Sequence, residues 1–210
     1  MKKLFYIIAV AMIACCVSVN AQEKKDKTKS IHVGFSPFGN LSTKMSYSKT
    51  SEKYKYDYKS YWDVSVGYEK QFQKVISYTE FSYAHAAIDE MNLEGTTGWF
   101  DPEEVKAMNQ FTLTTYIGKS LNAPHRLQFP VYIGFGGEYI NGKPFDALCF
   151  NLAAKARVKY YVGDRFGIYA GANYRIGWGG QSFKKDDNKS QLYSVTNSVF
   201  YVDAGVIVTF

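Results

Sequence analysis

The sequence predicts an all-β fold: an eight-stranded antiparallel up-and-down transmembrane β-barrel, preceded by a cleaved signal peptide. Three observations carry this reading. Eight segments alternate apolar and polar residues with period two, while helical periodicity is nearly absent. The apolar faces run about as long as the roughly 9 to 11 residues a tilted strand needs to cross a bilayer. Short and long connections alternate along the chain, as they do when strands run up and down between the two ends of a barrel.

The elements follow in order. Residues 1–21 form the signal peptide: Lys2 and Lys3 are its basic start, Leu4 to Val17 its apolar stretch, and Val19-Asn20-Ala21 a small-residue cleavage site. A competing reading lipidates Cys15 after Met12-Ile13-Ala14, a poorer match that lies upstream of the better cleavage site. Residues 22–30, QEKKDKTKS, are a polar N-terminal tail, and residues 31–210 are the barrel, a size that suits one domain. Beyond the leader no stretch approaches the ~18 consecutive apolar residues of a transmembrane helix. Cleavage removes Lys2 and Lys3 and takes the formal charge from +6 to +4, too little to argue for nucleic acid. Cys15 and Cys16 leave with the leader, so Cys149 has no partner for an internal disulfide.

The strands lie near 31–38, 54–69, 75–85, 108–118, 126–140, 147–161, 165–177 and 198–210. The last is the clearest. Phe200, Val202, Ala204, Val206, Val208 and Phe210 share one face, and Tyr201, Asp203, Gly205, Ile207 and Thr209 the other. The connections 70–74, 119–125 and 162–164 are short. Those at 39–53, 86–107 and 178–197 are long, with 141–146 the exception, which puts both termini at the short-turn end.

The stretch KYKYDYKSYW, residues 53–62, interleaves tyrosine and lysine, a pattern that would suit single-stranded nucleic acid. Within a strand it has a simpler origin. Tyr54, Tyr56 and Tyr58 share the parity of Trp62, Val64, Val66 and Tyr68, which places them on the lipid face. Lys55, Asp57 and Lys59 share the parity of Asp63, Ser65, Gly67 and Glu69, which places them inside. The expectation is a protruding strand edge whose tyrosines stack on sugars or accept a partner strand. Tyr58, Trp62, Tyr68 and Phe200 are the expected aromatic girdle at the interface.

The polar faces separate a membrane barrel from a soluble lipocalin-like one. A water-facing exterior should be dense in Lys and Glu. Here the polar faces hold mostly Gly, Ser, Thr, Asn, Gln and Tyr with scattered ions, Glu80, Glu138, Lys155, Arg157, Lys159, Arg175 and Asp203, of which Glu80, Glu138, Lys155, Arg157, Arg175 and Asp203 are the expected luminal network. Small residues with a few charges of both signs suit the crowded inside of an eight-stranded barrel, where buried ions must find partners. With Val19-Asn20-Ala21, eight alternating segments and the last strand FYVDAGVIVTF, the chain resembles the small outer-membrane β-barrels of Gram-negative bacteria, the OmpA-barrel and OmpX class. That resemblance implies an outer-membrane location with long loops extracellular and termini periplasmic. It also implies that Phe210 is the aromatic residue read by the barrel-assembly machinery during insertion.

The chemistry that remains is sparse. His32, His85 and His125 form no His-x-Ser pair of the barrel deacylase type, and no histidines or cysteines have metal-ligand spacing. A calcium site from Asp89, Glu90, Glu94, Asp101 and Glu103 lacks EF-hand spacing; Asp101, Pro102 and Glu104 read instead as a capped helix start. Residues 39–61 hold five lysines, one aspartate and one glutamate, while 86–107 hold six acids and one lysine. The expectation is a non-enzymatic barrel without metal or cofactor, structural or surface-interacting through its long loops. Its partners would be lipopolysaccharide and other outer-membrane lipid, the assembly machinery, and an extracellular protein or glycan, with nucleic acid excluded. A lipid A-modifying enzyme, a soluble lipocalin-like carrier, and an accessory barrel of a secretion or conjugation machine are the alternatives.

Overall fold

The computed structural model describes residues 27–46, 53–72, 75–94, 107–121, 125–142, 145–184 and 190–210. The signal peptide, Cys15, most of the polar tail, and Asp101, Glu103 and Glu104 lie outside them.

The described residues form β1 (Lys27–Ser36), β2 (Gly39–Ser46), β3 (Lys53–Phe72), β4 (Val75–Glu94) and β5 (Ala107–Ser120). They continue as β6 (Leu127–Gln128), β7 (Pro130–Gly142), β8 (Phe145–Tyr161), β9 (Phe166–Lys184) and β10 (Ser190–Thr209). β1 and β2 are one stave, since each pairs antiparallel with both β3 and β10. β6 and β7 are another, both laid against β8. The break after Ser36 falls at Pro37 and the break after Gln128 just before Pro130; proline has no N–H for the ladder and restricts the residue ahead of it. All pairings are antiparallel, and the first stave closes on the last, Ile31 opposite Val208 and Leu41 opposite Val199. The result is a closed ring of eight staves.

The ring is inside out relative to a soluble barrel. Ile133 is 73% exposed and Phe166 64%, while Glu138 and Lys159 are fully buried. Exposed Val33, Val66, Phe135 and Val206 face outward, and the soluble lipocalin-like alternative fails on this distribution.

The strands outrun the sequence expectation at both ends. β1 opens at Lys27, ahead of residue 31. Residues 39–46, 86–94, 178–184 and 190–197, expected as long loop, are strand. Above a bilayer neither face is obliged to be apolar, so the alternation that marks a spanning strand fades while its backbone ladder continues.

Tyrosine and glycine, both abundant in the sequence, meet in the lumen. The Tyr78 ring packs over Gly67, leaving no space for a Cβ there. Tyr169 covers Gly205 directly opposite it; a Cβ on Gly205 would stand 2.7 Å from the ring and also against the Val33 carbonyl.

Candidate functional site

Three tiers of polar side chains fill the lumen. In the tier nearest the short turns, Lys159 Nζ donates to both oxygens of Glu69, each at 2.6 Å, and the Tyr132 hydroxyl donates to Glu69 at 2.9 Å. His32, fully buried, stands 3.7 Å from Glu69 and packs between Tyr78 and Tyr169.

The middle tier joins Glu80, Lys155, Arg157 and Asp203. Lys155 Nζ donates to both Glu80 oxygens at 2.6 Å, and the Tyr78 hydroxyl donates to Glu80 at 2.6 Å. The Arg157 guanidinium bridges Glu80 at 3.1 Å and Asp203 at 2.7 Å, and Asn173 donates to the second Asp203 oxygen at 2.8 Å. The same guanidinium lies 4.1 Å from the Tyr169 ring centroid, so the rings serve as walls and as cation partners.

In the upper tier Arg175 pairs with Glu138 at 3.1 Å and donates to Gln110 at 3.2 Å, while Asn197 donates to Glu138. Thr43 donates to Asn197 at 2.8 Å, and the Tyr58 hydroxyl lies 2.8 Å from Thr43 and 2.7 Å from Met108 Sδ. Above this the lumen turns apolar: Met45, Tyr56, Met108, Ile140, Ala147, Cys149 and Val195 form a buried plug.

The six ions expected as one network thus fall into two clusters, with Glu138 and Arg175 apart from the other four, and Lys159, also read inward from the sequence, joins a third with Glu69. Glu69, His32 and Asp63 also belong to the lumen. Alternation alone puts Asp63 and Glu69 on the inward face of β3, so the signal was there, and the structure supplies the partners.

Asp63 is the odd member. The described lumen buries five carboxylates, Asp63, Glu69, Glu80, Glu138 and Asp203, against four permanent cations, Lys155, Arg157, Lys159 and Arg175. Among the described residues no cation forms an ion pair with Asp63, which accepts from the Tyr61 hydroxyl at 3.5 Å. Asp63→Asn should therefore leave the urea unfolding midpoint in detergent unchanged or raise it. Asp203→Asn strips Arg157 of one anion and should lower stability by at least about 1 kcal/mol.

The tyrosine and lysine stretch is placed differently from its expected parity. Two single-residue bulges interrupt the β3–β4 ladder. Asp57 stands opposite Glu90, Tyr58 opposite Ile88 and Ser60 opposite Ala87, so Asp89 and Lys59 have no partner in register. Each bulge shifts the pleat of its own strand, and on β3 the extra residue Lys59 exchanges the faces between Tyr58 and Tyr61. Tyr56, fully buried, and Tyr58 point into the lumen, so neither stacks on an external sugar and Tyr58 is not part of a girdle. Lys55, Asp57 and Lys59 are outside instead, with Lys55 and Asp57 paired at 3.0 Å. The side chain of Tyr54 lies outside the described residues. β3 is also no free edge, since β2 pairs with it on one side and β4 on the other.

Trp62, Tyr68 and Phe200 do face outward. Trp62 joins a string of ring contacts across neighbouring staves: His85 at 5.7 Å, Tyr83 at 5.5 Å, then Tyr83 to Phe111 at 5.1 Å and Phe111 to Tyr139 at 6.4 Å. Its polar handles point to Asn109, which accepts from Tyr83 at 2.8 Å and lies 2.9 Å from His85 Nδ1. Rings of this kind, apolar in body and polar at one edge, suit the boundary between hydrocarbon and headgroups.

No protein-family model matches the sequence, and no curated protein matches it. Solved structures do. OmpT, an outer-membrane protease of Escherichia coli, superposes with a TM-score of 0.55 at 10% identity, over 90% of this chain and 99% of that one. Neisserial surface protein A gives 0.49 at 11% identity, over 89% and 100%. Ail, the attachment invasion locus protein of Yersinia pestis, gives 0.41 at 14%, over 89% and 100%. At these identities the likeness speaks to fold and not to activity. Closed ring, apolar exterior, ion-paired lumen and the superposition on OmpT agree: the chain folds as a small outer-membrane β-barrel.

Proposed function

We propose that this protein is a non-enzymatic outer-membrane barrel, a rigid scaffold that works through the outer rim of its wall and loops. One observation carries the reading: the luminal ions are turned on one another and an apolar plug sits above them. Paired ions held by tyrosine walls are a poor path for solutes and leave little polar chemistry for a substrate. In this reading the strand ends at β2–β3 and the other long hairpins face the cell exterior, and both termini are periplasmic. Phe210 serves as the insertion signal for the assembly machinery, and outer-membrane lipid or an extracellular protein or glycan is met at the rim.

Two measurements test it. In planar bilayers the purified barrel should give no sustained porin-like conductance; a stable open channel would sink the scaffold reading. Protease applied to intact cells should cut in 47–52, 95–106 or 185–189. Cleavage confined to 73–74 or 122–124 would mean the opposite orientation.

A further inference from the structure

The plug beneath the long hairpins shares a chemistry that plugging by itself does not require. Beyond residue 21 the chain has four sulfur-bearing side chains, Met45, Met91, Met108 and Cys149. Met45, Met108 and Cys149 lie buried in the one cluster that forms the plug. Met91 stands opposite Tyr56, another member of that cluster, in the β3–β4 ladder. Leucine, isoleucine and valine fill apolar space without sulfur. Sulfur gathered at one level of the lumen points to its ligand chemistry.

The three side chains come from three sides of the ring. Met45 is on β2, Met108 on β5 and Cys149 on β8, with two staves between the first and second, one between the second and third, and two between the third and first. Met45 and Met108 are each one residue inside the end of their strand, so the cluster sits at the mouth of the lumen. Thioether and thiolate sulfur are soft donors and select Cu(I), whereas Zn(II) sites draw on imidazole and Ca(II) sites on oxygen. No histidine belongs to the cluster: His32 is in the lowest tier and His85 faces outward.

The surroundings fit a thiolate and a single positive charge. Gln110 and Asn151 are the next inward residues after Met108 and Cys149, and both are at most 1% exposed. Gln110 Nε2 and Asn151 Nδ2 have no hydrogen-bond partner among the described residues, and amide donors of this kind steady the ligands of a metal site. The one proton of the Tyr58 hydroxyl goes to Thr43, the stronger acceptor, and the chain continues through Asn197 to Glu138. Met108 Sδ, 2.7 Å from the same hydroxyl, thus keeps its lone pairs for a soft cation. Glu138 and Arg175 compensate each other below the plug. A thiolate with a monovalent ion is neutral there, while a divalent ion would leave a net charge in apolar surroundings. We propose that Met45, Met108 and Cys149 form a three-sulfur site for Cu(I) at the mouth of the lumen. Binding replaces the thiol S–H bond by a sulfur–copper bond and releases the proton to solvent; no electron is transferred.

The test uses the full mature barrel folded in a mild detergent with its thiol reduced, titrated without oxygen against Cu(I) held by a chromophoric chelator. One Cu(I) should bind per barrel with release of one proton, and X-ray absorption at the copper edge should show sulfur neighbours only. Ag(I) should compete, and Zn(II) should not. Cys149→Ser should weaken binding by more than the roughly 100-fold that marks the upper end of changes outside a ligand set, and Met45→Leu and Met108→Leu each by at least about tenfold. Unchanged heat-dependent gel mobility shows that these variants fold. The variant His85→Gln, His125→Gln should bind as the wild type does; an equal loss there puts the copper on surface histidines and overturns the proposal. Absence of binding overturns it, as do undiminished binding by Cys149→Ser or by the double Met→Leu variant, and equal binding of Zn(II). The absorption measurement needs no variant, so a shell of nitrogen or oxygen overturns the site even where a substitution prevents folding.

Discussion

Glu80→Ala will lower the stability of the folded barrel by about 3 to 5 kcal/mol, read as the urea unfolding midpoint in detergent or lipid vesicles. Glu80 is 3% exposed and accepts from Lys155, Arg157 and the Tyr78 hydroxyl at once. Its removal strands an ammonium that is 3% exposed and leaves Arg157 only Asp203. The size of the effect comes from the uncompensated cations more than from the lost attraction. The double change Glu80→Leu with Lys155→Met should therefore cost far less than the single one, because Arg157 and Asp203 keep each other. If the single and double variants are equally destabilised, the pair is not the unit that matters and shape in the lumen decides instead.

Gly205→Val will cost about 3 kcal/mol or more, at or beyond the upper end of what overpacking costs. Most crowded positions relax when a side chain swings aside. Here the new atoms meet the Val33 carbonyl, which the β1–β10 ladder fixes, as well as the Tyr169 ring, against which the Arg157 guanidinium is packed. Heat-dependent gel mobility and folded yield are the readouts. Replacing Gly163, whose Cβ would meet nothing within 4 Å, by the same residue is the control and should leave both unchanged. A Gly205→Val barrel as stable as the control would show that Tyr169 yields more readily than its packing implies.

The two substitutions probe the same design from opposite sides. An eight-stave lumen has room for one layer of side chains from each wall, so ions, tyrosine rings and glycine gaps must fit together. That fit explains the composition better than any ligand does. Tyrosine provides a ring wide enough to span the lumen and a hydroxyl that satisfies a carboxylate, as Tyr78 does for Glu80 and Tyr132 for Glu69.

Much of the wall was legible from alternation. Along β9 and β10 the inward residues Tyr169, Asn173, Arg175, Tyr201 and Asp203 follow the parity read from the chain, and the opposite residues face out. The bilayer enforces this: within it one face must be apolar and the other must enclose every ion, so period two is written into the residues themselves. Which ions pair was not legible. Glu80 and Lys155 are 75 positions apart, and Glu69 and Lys159 are 90, distances that only the ring closes.

Above the bilayer the constraint lapses, and there parity misled. Tyr54, Tyr56 and Tyr58 continue the rhythm of Trp62 and Val64 in the sequence, yet the extra residue Lys59 on β3 reverses it for Tyr56 and Tyr58. A bulge adds one residue to one strand and is visible only when its partner strand is in place. A membrane-spanning ring, its inward ions and its outward apolar band are written in the chain, because solvent on the two faces dictates residue type. The ion partners, the apolar plug and the outward turn of the lysines emerge only when the ring closes, because they depend on register between strands far apart in the chain.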